Sequence, residues 1–330
     1  MKLRLVLLLV LGLGLLPAAA DASLTGFQTF TGPVGLSTDG FGSIRDAGTI
    51  SASVPAGAVV LGAYLYTSTF ENGSLSGVGA TLNGNAVVFA SLGTNTDACC
   101  DLTAGRADVT SIVAPVINGG GGGIYDFAIT ESSSSQDGEA LIVVYSLAGN
   151  PDATVGILDG FANVTGDTTS INFSTPLNPA APGFFADMRL GIGFSCCGSQ
   201  YSTVEVNNTV ITERAGNMDD ADDQDPANGR LITVGGFDDP FSALLPDYES
   251  DTEHYNLVPF ITSGDTSIVV ETFNQSENDN IFVATFYVSG IAGVNEPPPD
   301  GTPIPEPASM TLVATGLVYA ARRYRGRKRQ

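Results

Sequence analysis

Between residues 24 and 293 the chain consists of short runs rich in Val, Ile, Tyr, Phe and Thr, separated by Gly, Asn, Asp and Pro. No stretch of this region has the periodicity of a convincing amphipathic helix. Representative runs are VVLGAYLYTS (59–68), ALIVVYSLAG (140–149), SIVVETF (267–273) and IFVATFYVSG (281–290). Because β-branched and aromatic residues favour strands and clustered turn residues end them, the pattern predicts an all-β fold made of β-sandwiches.

The runs recur in the same order in the two halves of this region. Five pairs of segments align: 49–58 with 169–182, 62–68 with 189–195, 80–89 with 204–212, 107–113 with 255–261, and 139–149 with 279–290. An ordered recurrence of this kind predicts an internal duplication. We therefore expect two tandem β-sandwich modules, 23–149 and 150–293. A single large sandwich built from both halves is the alternative.

An acidic insertion at 213–254 distinguishes the second module from the first. It places five carboxylates within seven residues: Asp219, Asp220, Asp222, Asp223 and Asp225. Clustered oxygen ligands in a flexible arrangement suit Ca²⁺, so these residues are a candidate calcium site. The spacing is not that of an EF-hand, and a solvated acidic loop is the alternative. Six later acids could complete a site or only add surface charge: Asp238, Asp239, Asp247, Glu249, Asp251 and Glu253.

The basic residues lie mostly at the two ends of the chain. Of 13 lysines and arginines, residues 23–301 hold only five arginines, against 33 carboxylates, so this core has a net charge of −28. Such a core lacks the cations that bind nucleic acid phosphates or an anionic lipid surface. It has no lysine for Schiff-base chemistry. With His254 as its single histidine, the chain does not favour an imidazole-rich metal site or a catalytic triad.

Residues 1–22 have the three parts of a secretory signal peptide. Lys2 and Arg4 supply the charged start, residues 5–16 the apolar run, and residues 18–22 the small residues of a cleavage site. The apolar run is short for a membrane span. We therefore expect export of the chain and removal of this segment.

The C-terminal end carries a second ordered pattern. Its elements are a Pro-rich spacer (294–304), the triplet Pro305, Glu306 and Pro307, an apolar segment (308–321), and a basic tail that begins with Arg322 and Arg323. The apolar segment is barely long enough to cross a bilayer, and the arginines would keep this end on the cytoplasmic side. We expect the chain to contact the membrane only through this segment, before processing.

The triplet, the apolar segment and the arginine cluster within 305–330 resemble the PEP-CTERM sorting signal of Gram-negative bacteria. The resemblance implies recognition by a membrane-embedded exosortase-type protease and removal of the tail near the triplet. It also implies delivery to the cell surface or extracellular matrix, in organisms that make exopolysaccharide and biofilm. The core is similar to bacterial surface β-sandwich proteins. A plain C-terminal anchor helix is the alternative for the tail.

Four cysteines form two dipeptides, Cys99-Cys100 and Cys196-Cys197. In an exported chain they predict disulfides, for which three full connectivities exist. The dipeptides do not occupy equivalent positions in the repeat, which favours pairing between the modules. Bonds within a dipeptide would be strained, and the spacing does not match a zinc knuckle.

Signatures of enzymes are missing from the sequence, which contains no GxSxG, HExxH or P-loop motif. His254 could act as a base, with a structural or surface histidine as the alternative. We therefore expect a non-enzymatic exported surface or matrix protein, associated with exopolysaccharide and dependent on calcium. The competing hypotheses are a carbohydrate-binding module, although the chain has no Trp to stack on sugars, and a polysaccharide-acting enzyme with a carboxylate pair.

Overall fold

The computed structural model describes residues 24–42, 46–69, 74–95, 102–163, 165–193, 201–216, 232–239, 241, 252–274 and 280–297. These residues form mostly antiparallel strands, which confirms the predicted all-β class. They also contain one α-helix, α1 (Thr110–Ile117), and a 3₁₀ turn (Val258–Phe260). The sequence pattern does not predict α1. Val113 and Ile117 face the core at helical spacing, but β-branched neighbours and Pro115 hide that period.

Strands from residues 34–146 form two sheets. The strands of the first inner sheet are β2 (Val34–Gly42), β4 (Val59–Thr69), β7 (Ala90–Asn95), β8 (Leu102–Asp108) and β10 (Gln136–Ser146). Those of the first outer sheet are β3 (Ala47–Val54), β5 (Ala80–Leu82), β6 (Asn85–Val87) and β9 (Gly123–Glu131). The inner order is β2-β10-β4-β8-β7, and the outer order is β3-β9-β5-β6.

The remaining strands form two further sheets. The strands of the second inner sheet are β1 (Thr25–Gly32), β11 (Ala153–Asp159), β13 (Ala186–Gly193), β16 (Ile232–Val234), β17 (His254–Asn256) and β19 (Asn280–Ser289). Those of the second outer sheet are β12 (Asp167–Phe173), β14 (Ser202–Val206), β15 (Thr209–Ala215), β18 (Ser267–Phe273) and β20 (Ala292–Val294). The inner order is β1-β11-β19-β13-β16, with β17 also on β13, and the outer order is β15-β14-β18-β12-β20.

Three hydrophobic cores hold the four sheets together as layers. One core lies between the first outer and first inner sheets and includes Ile50, Leu65 and Phe127. A second lies between the second inner and second outer sheets. The third, which we call the junction, joins the two inner sheets through residues such as Tyr66 and Phe282. The layers therefore run first outer, first inner, second inner, second outer.

The central inner strands, such as β10 and β19, are apolar on both faces because each face packs on a different core. In β10, Leu141 and Val143 lie in the first core, whereas Ile142 and Val144 lie in the junction. Alternate residues of a strand point to opposite faces of the sheet. This double burial explains why ALIVVYS and IFVATFYVS are continuous apolar runs and do not alternate with polar residues.

The two halves repeat the same strand order. The order β2-β10-β4-β8 corresponds to β11-β19-β13-β16, and β3-β9-β5-β6 corresponds to β12-β18-β14-β15. Four of the five aligned pairs of segments fall on strands that correspond in this order. The fifth, 107–113 with 255–261, aligns the end of β8 and α1 with β17 and the 3₁₀ turn, because β16 and β17 both lie beside β13 where the first half has the single strand β8. β1 departs from this correspondence: it precedes the first-half strands in sequence but pairs with β11 in the second inner sheet.

A tight turn shows the correspondence at the level of single residues. Asn83, between β5 and β6, and Asn207, between β14 and β15, both have a φ of 49°. The Asn83 backbone N–H donates to the Ala128 carbonyl at 2.8 Å, and the Asn83 side-chain Oδ1 accepts from the Ala128 N–H at 2.9 Å. Asn207 makes the same pair of bonds with Val269, both at 2.9 Å.

Within the described ranges no helix is long and apolar enough to span a membrane. The predicted signal peptide (1–22) and the predicted sorting segment (305–330) lie outside these ranges. Of the predicted spacer, residues 294–297 are described.

Candidate functional site

Of the residues predicted to carry chemistry, Asp238, Asp239, Glu253 and His254 lie in the part of the chain that the structure describes. The main predicted groups fall outside it. They are the calcium candidates Asp219, Asp220, Asp222, Asp223 and Asp225, the cysteines Cys99, Cys100, Cys196 and Cys197, and the sorting residues Pro305, Glu306, Pro307, Arg322 and Arg323. Among the described residues, no group of three or more His, Cys, Asp and Glu side chains is placed to hold a metal ion. Calcium binding and disulfide pairing therefore stay predictions.

The first charged cluster at the junction is built on Arg106. This residue lies on β8 of the first inner sheet and forms an ion pair with Asp159 at the end of β11 in the second inner sheet. The Tyr66 hydroxyl donates to the same carboxylate at 3.0 Å. The Arg106 guanidinium also lies 3.4 Å from the centre of the Phe27 ring, on β1. Burial raises the pKa of Asp159, and the bonds from Arg106 and Tyr66 oppose that rise.

The second junction cluster is built on Arg189, on β13. Its Nε and Nη2 donate to the Asp187 carboxylate, with an Nη2–Oδ2 distance of 2.9 Å. Its Nη1 donates to Thr38 Oγ1 at 2.9 Å, on β2 of the first inner sheet. Thr38 continues the link, because its hydroxyl donates to the Gly235 carbonyl and its carbonyl accepts from the Phe237 N–H. A buried chain of polar contacts therefore crosses the junction.

His254 completes this cluster from β17. Its side chain is buried, with Nε2 at 3.1 Å from Asp187 Oδ2 and Nδ1 at 3.3 Å from the Asp239 carbonyl. The ring also packs 5.0 Å from that of Phe241. Burial acts to raise the pKa of Asp187, but Arg189 and His254 together hold it below its ordinary value. Both imidazole nitrogens thus face protein oxygens, which is the arrangement expected of a structural histidine.

A buried carboxylate joins the two ends of the acidic insertion. Glu253 has a φ of 52° and is fully buried. Its Oε1 accepts from the Gly216 N–H at 2.8 Å, and its Oε2 accepts from the Thr233 hydroxyl. Gly216 directly precedes the Asp-rich segment 217–229, and Thr233 follows it closely. Glu253 therefore stabilises the base of that segment and is not a surface charge.

The acids at 238–239 lie against the first half. Asp39, on β2, is half-buried, and its partial removal from water together with Asp238 and Asp239 raises its pKa well above the ordinary value. Asp239 Oδ2 accepts from the Gly236 N–H. Burial and the neighbouring Asp238 raise the pKa of Asp239 to about 6. Asp39 and the adjacent Asp238 and Asp239, from two distant parts of the sequence, thus share one partly buried site beside the junction.

A separate carboxyl pair lies inside the first half, where β9 ends and β10 begins. Glu139 is fully buried, accepts from Gln136 Nε2 at 2.7 Å, and is hydrogen-bonded to Glu131. Asp137 lies nearby and accepts from the Ser68 hydroxyl at 3.1 Å. Burial, Glu139 and Asp137 raise the pKa of Glu131 to about 10, and burial raises that of Glu139 to about 8. At neutral pH this pair therefore retains a proton.

Sequence reasoning named His254, Glu253, Asp238 and Asp239 as candidates. It missed the other members of these clusters. Asp187 and Arg189 lie two residues apart on a strand, so they share a face, and that spacing inside an apolar run was an available signal. Glu139 is the first residue of the apolar run EALIVVY, which indicates burial. The overlapping segment QDGEA has the composition of a turn, however, and indicates exposure. The partners of both sites come from other strands and are not visible in local sequence.

The chain was compared with known proteins. No family model matches it, and no curated protein matches it. Among solved structures it is similar to BpGH86A, a β-porphyranase of glycoside hydrolase family 86 from the human gut bacterium Bacteroides plebeius, with 10% identity and a TM-score of 0.24 over 84% of this chain and 38% of that chain. It is also similar to BuGH86wt, solved in complex with neoagarooctaose, with 7% identity and a TM-score of 0.17 over 79% of this chain and 34% of that chain. This chain thus spans little more than a third of each, and TM-scores this low do not show a common fold.

Proposed function

We propose that this protein is a non-enzymatic, exported structural component of the cell surface or extracellular matrix, sorted by an exosortase-type protease and associated with exopolysaccharide. The observation that carries the proposal is the position of the few cationic side chains of the core. Of the five core arginines, the two whose side chains are described, Arg106 and Arg189, both bridge the junction. His254, the only histidine, supports the same network.

This placement supports a scaffold role for a physical reason. Burying an isolated charge is costly, so buried charges persist where they are paired and hydrogen-bonded. Here the Arg106–Asp159 ion pair and the Arg189–Thr38 hydrogen bond join layers from different halves of the chain, while Asp187 pairs with Arg189 on the same strand. These contacts specify how the two inner sheets meet. The charged side chains of these clusters therefore hold two sandwiches as one body.

We further infer that the core consists of two modules that arose by duplication. The matching strand orders support this inference, and so do the Asn83 and Asn207 turns, which have the same φ and the same bonds to the neighbouring strand. Unrelated β-sheets would have no reason to repeat both features at aligned positions.

Calcium binding by the Asp219–Asp225 segment is part of the proposal. The link from Glu253 to Gly216 and Thr233 supports it, because a loop whose ends are held together loses less entropy when a cation orders it. With 1 mM Ca²⁺ and a dissociation constant near 0.1 mM, we expect the melting temperature of the full-length protein to rise by about 3 °C over an EDTA sample. Asp222→Asn with Asp223→Asn should remove that rise, whereas Asp152→Asn, on an exposed loop, should keep it. Equal melting temperatures with Ca²⁺ and EDTA would remove calcium from the proposal.

The sorting proposal is tested by changes to the C-terminal segment. Deletion of residues 305–330 should abolish processing and surface retention, measured by fractionation and by mass spectrometry of the mature end. Replacement of Pro305, Glu306 and Pro307 by Ala should leave an uncleaved, membrane-bound chain. Under the anchor-helix alternative the triplet substitution changes nothing. If the deletion left localisation and processing untouched, the sorting proposal would fail.

A further inference from the structure

A polar groove of about 920 Å³ opens on the second half of the molecule. One wall is the turn between β14 and β15, and the other is the segment from the 3₁₀ turn to the start of β18. The lining residues are Asn207, Asn208, Thr209, Pro259, Phe260, Thr262, Gly264, Asp265, Thr266 and Ser267. This volume is within the range of pockets that hold small ligands, roughly 300–1,000 Å³.

The first wall is rigid because Asn207 is bonded on three sides. Its backbone N–H and its Oδ1 bond to Val269, and its Nδ2 donates to the Phe260 carbonyl at 2.9 Å. The last bond ties the two walls together. The next residue, Asn208, has a φ of 62° and an exposed side chain at the groove.

The second wall is held by Asp265. Its Oδ2 accepts from the Thr262 N–H at 2.8 Å, and its own N–H donates to the Thr262 carbonyl at 3.0 Å. Leu177 adds two backbone bonds, to the Asp265 carbonyl and from the Gly264 N–H. The groove is therefore formed before any ligand arrives, which lowers the entropic cost of binding.

The chemistry of the lining restricts the ligand. Among the residues that the structure describes, ten line the groove: they include two amides, four hydroxyl side chains, one carboxylate and one aromatic ring, but no Lys, Arg or His. Amides and hydroxyls both donate and accept hydrogen bonds, and a carboxylate accepts from two donors. A lining without cations, in a core of net charge −28, disfavours anions. A neutral ligand with many hydroxyl groups fits this lining.

We propose that this groove binds a neutral oligosaccharide, with Asn208 and Asp265 as the residues that bond its hydroxyl groups and Phe260 as the apolar contact for its C–H face. The choice of a glycan over other neutral polyols rests on the proposed function in a polysaccharide matrix. The binding itself does not require the sorting signal or calcium.

The first half supplies a matched control. There the corresponding turn is Asn83-Gly84, with Gly84 at a φ of 76° in the place of Asn208, and α1 stands where the second half has its 3₁₀ turn. Asn208→Gly therefore gives the second turn the sequence of the first, and a glycine accepts the positive φ without strain. The variant removes the Asn208 amide from the groove and keeps the fold. Gly84→Asn is the reciprocal control.

The experiment is titration calorimetry of the full-length protein with β-1,4-linked, β-1,3-linked and α-1,4-linked glucose tetrasaccharides and with tetragalacturonate as the anionic probe. We expect at least one neutral probe to bind with millimolar affinity or better, and tetragalacturonate to bind at least tenfold more weakly. Asn208→Gly and Asp265→Asn should each weaken binding about tenfold, the loss expected for one or two good hydrogen bonds. Gly84→Asn should bind as the parent protein does.

Two results would overturn the proposal: no heat from any neutral probe at 10 mM, or equal affinity in the parent and the Asn208→Gly variant. Equal binding of tetragalacturonate would overturn the choice of a neutral ligand. These outcomes are separate from the sorting test, because a protein that fails to reach the surface could still bind the tetrasaccharide, and a correctly sorted protein could fail to bind it.

Discussion

In two buried carboxylate clusters of this protein the pKa values shift in opposite directions, although burial acts to raise both. Asp187 lies against Arg189 and His254, and these partners hold its pKa below the ordinary value although burial acts to raise it. Glu139 lies against Glu131, and burial raises its pKa to about 8 although hydrogen bonds from Glu131 and Gln136 lower it. The partner of a buried carboxyl group therefore decides its charge more than its depth does.

The two clusters also serve different parts of the molecule. The Asp187 cluster reaches across the junction to Thr38, whereas the Glu131–Glu139 pair stays within the first half. In the Glu131–Glu139 pair, Oε1 of Glu131 and Oε2 of Glu139 are buried without a hydrogen-bond partner among the described residues. The junction cluster is therefore stabilised by opposite charges, whereas the carboxyl pair is stabilised by a proton that it retains.

The largest expected effect comes from removing the cation of the junction cluster. Arg189→Met leaves the buried Asp187 without its guanidinium and should lower the free energy of unfolding by about 3–5 kcal/mol. Urea denaturation at pH 7 measures this loss. Arg106→Met is the matched control: its side chain is 23% exposed and can be replaced in part by water, so a smaller loss is expected. Equal losses in the two variants would contradict the assignment of Asp187 as the more dependent carboxylate.

The next largest expected effect is a pH dependence of stability, which arises from the proton held by the Glu131–Glu139 pair. The folded-state pKa values of Glu131 (about 10) and Glu139 (about 8) lie above their ordinary value of 4.5, so the folded protein binds more protons than the unfolded chain in that window. The stability from this pair is therefore present in full below pH 4.5 and is lost as pH rises through 8 towards 10. Glu131→Gln keeps a donor to Glu139 and should stabilise the protein by about 2–3 kcal/mol at pH 8, less than the full shift because water enters.

The measurement is urea denaturation of parent and Glu131→Gln at pH 5 and pH 8. The variant should flatten the profile, and Glu296→Gln, at an exposed carboxylate after β20, should leave it unchanged. A parent protein that is more stable at pH 8 than at pH 5, with no gain in Glu131→Gln, would show that the pair does not hold a proton.

The sequence predicts the sheets better than it predicts either cluster. Strands buried on both faces, such as β10 and β19, are continuous apolar runs, so their existence and their order follow from local composition. The pairing of β1 with β11 does not, because it joins residues such as Thr25 and Asp159 that are 134 positions apart. No local pattern carries information about a partner at that distance.

The clusters depend on such distant partners even more strongly. Arg189 and Asp187 share a strand face in any β prediction, but Thr38 and His254 reach them only through the packing of other strands. Glu131 and Glu139 are close in sequence, yet their pairing depends on β9 and β10 lying in different sheets. Sequence therefore locates candidate charges on strands and leaves their partners undetermined.

The smallest expected effect is the difference in stability loss between substitutions of two matched threonines, one in each cluster. Thr38 accepts a hydrogen bond from the Arg189 guanidinium and donates one to the Gly235 carbonyl. Thr67 makes the equivalent bonds to neutral groups: it accepts from the Gln136 amide at 3.2 Å and donates to the Gly138 carbonyl at 3.0 Å. Both threonines are buried, and valine has nearly the same shape as threonine, with a methyl group in place of the hydroxyl. Because bonds to charged groups contribute more, Thr38→Val should cost about 2 kcal/mol and Thr67→Val about 1 kcal/mol, measured by urea denaturation at pH 7. If the two costs were equal, or Thr67→Val cost more, charge would not be what distinguishes the junction cluster from the carboxyl pair.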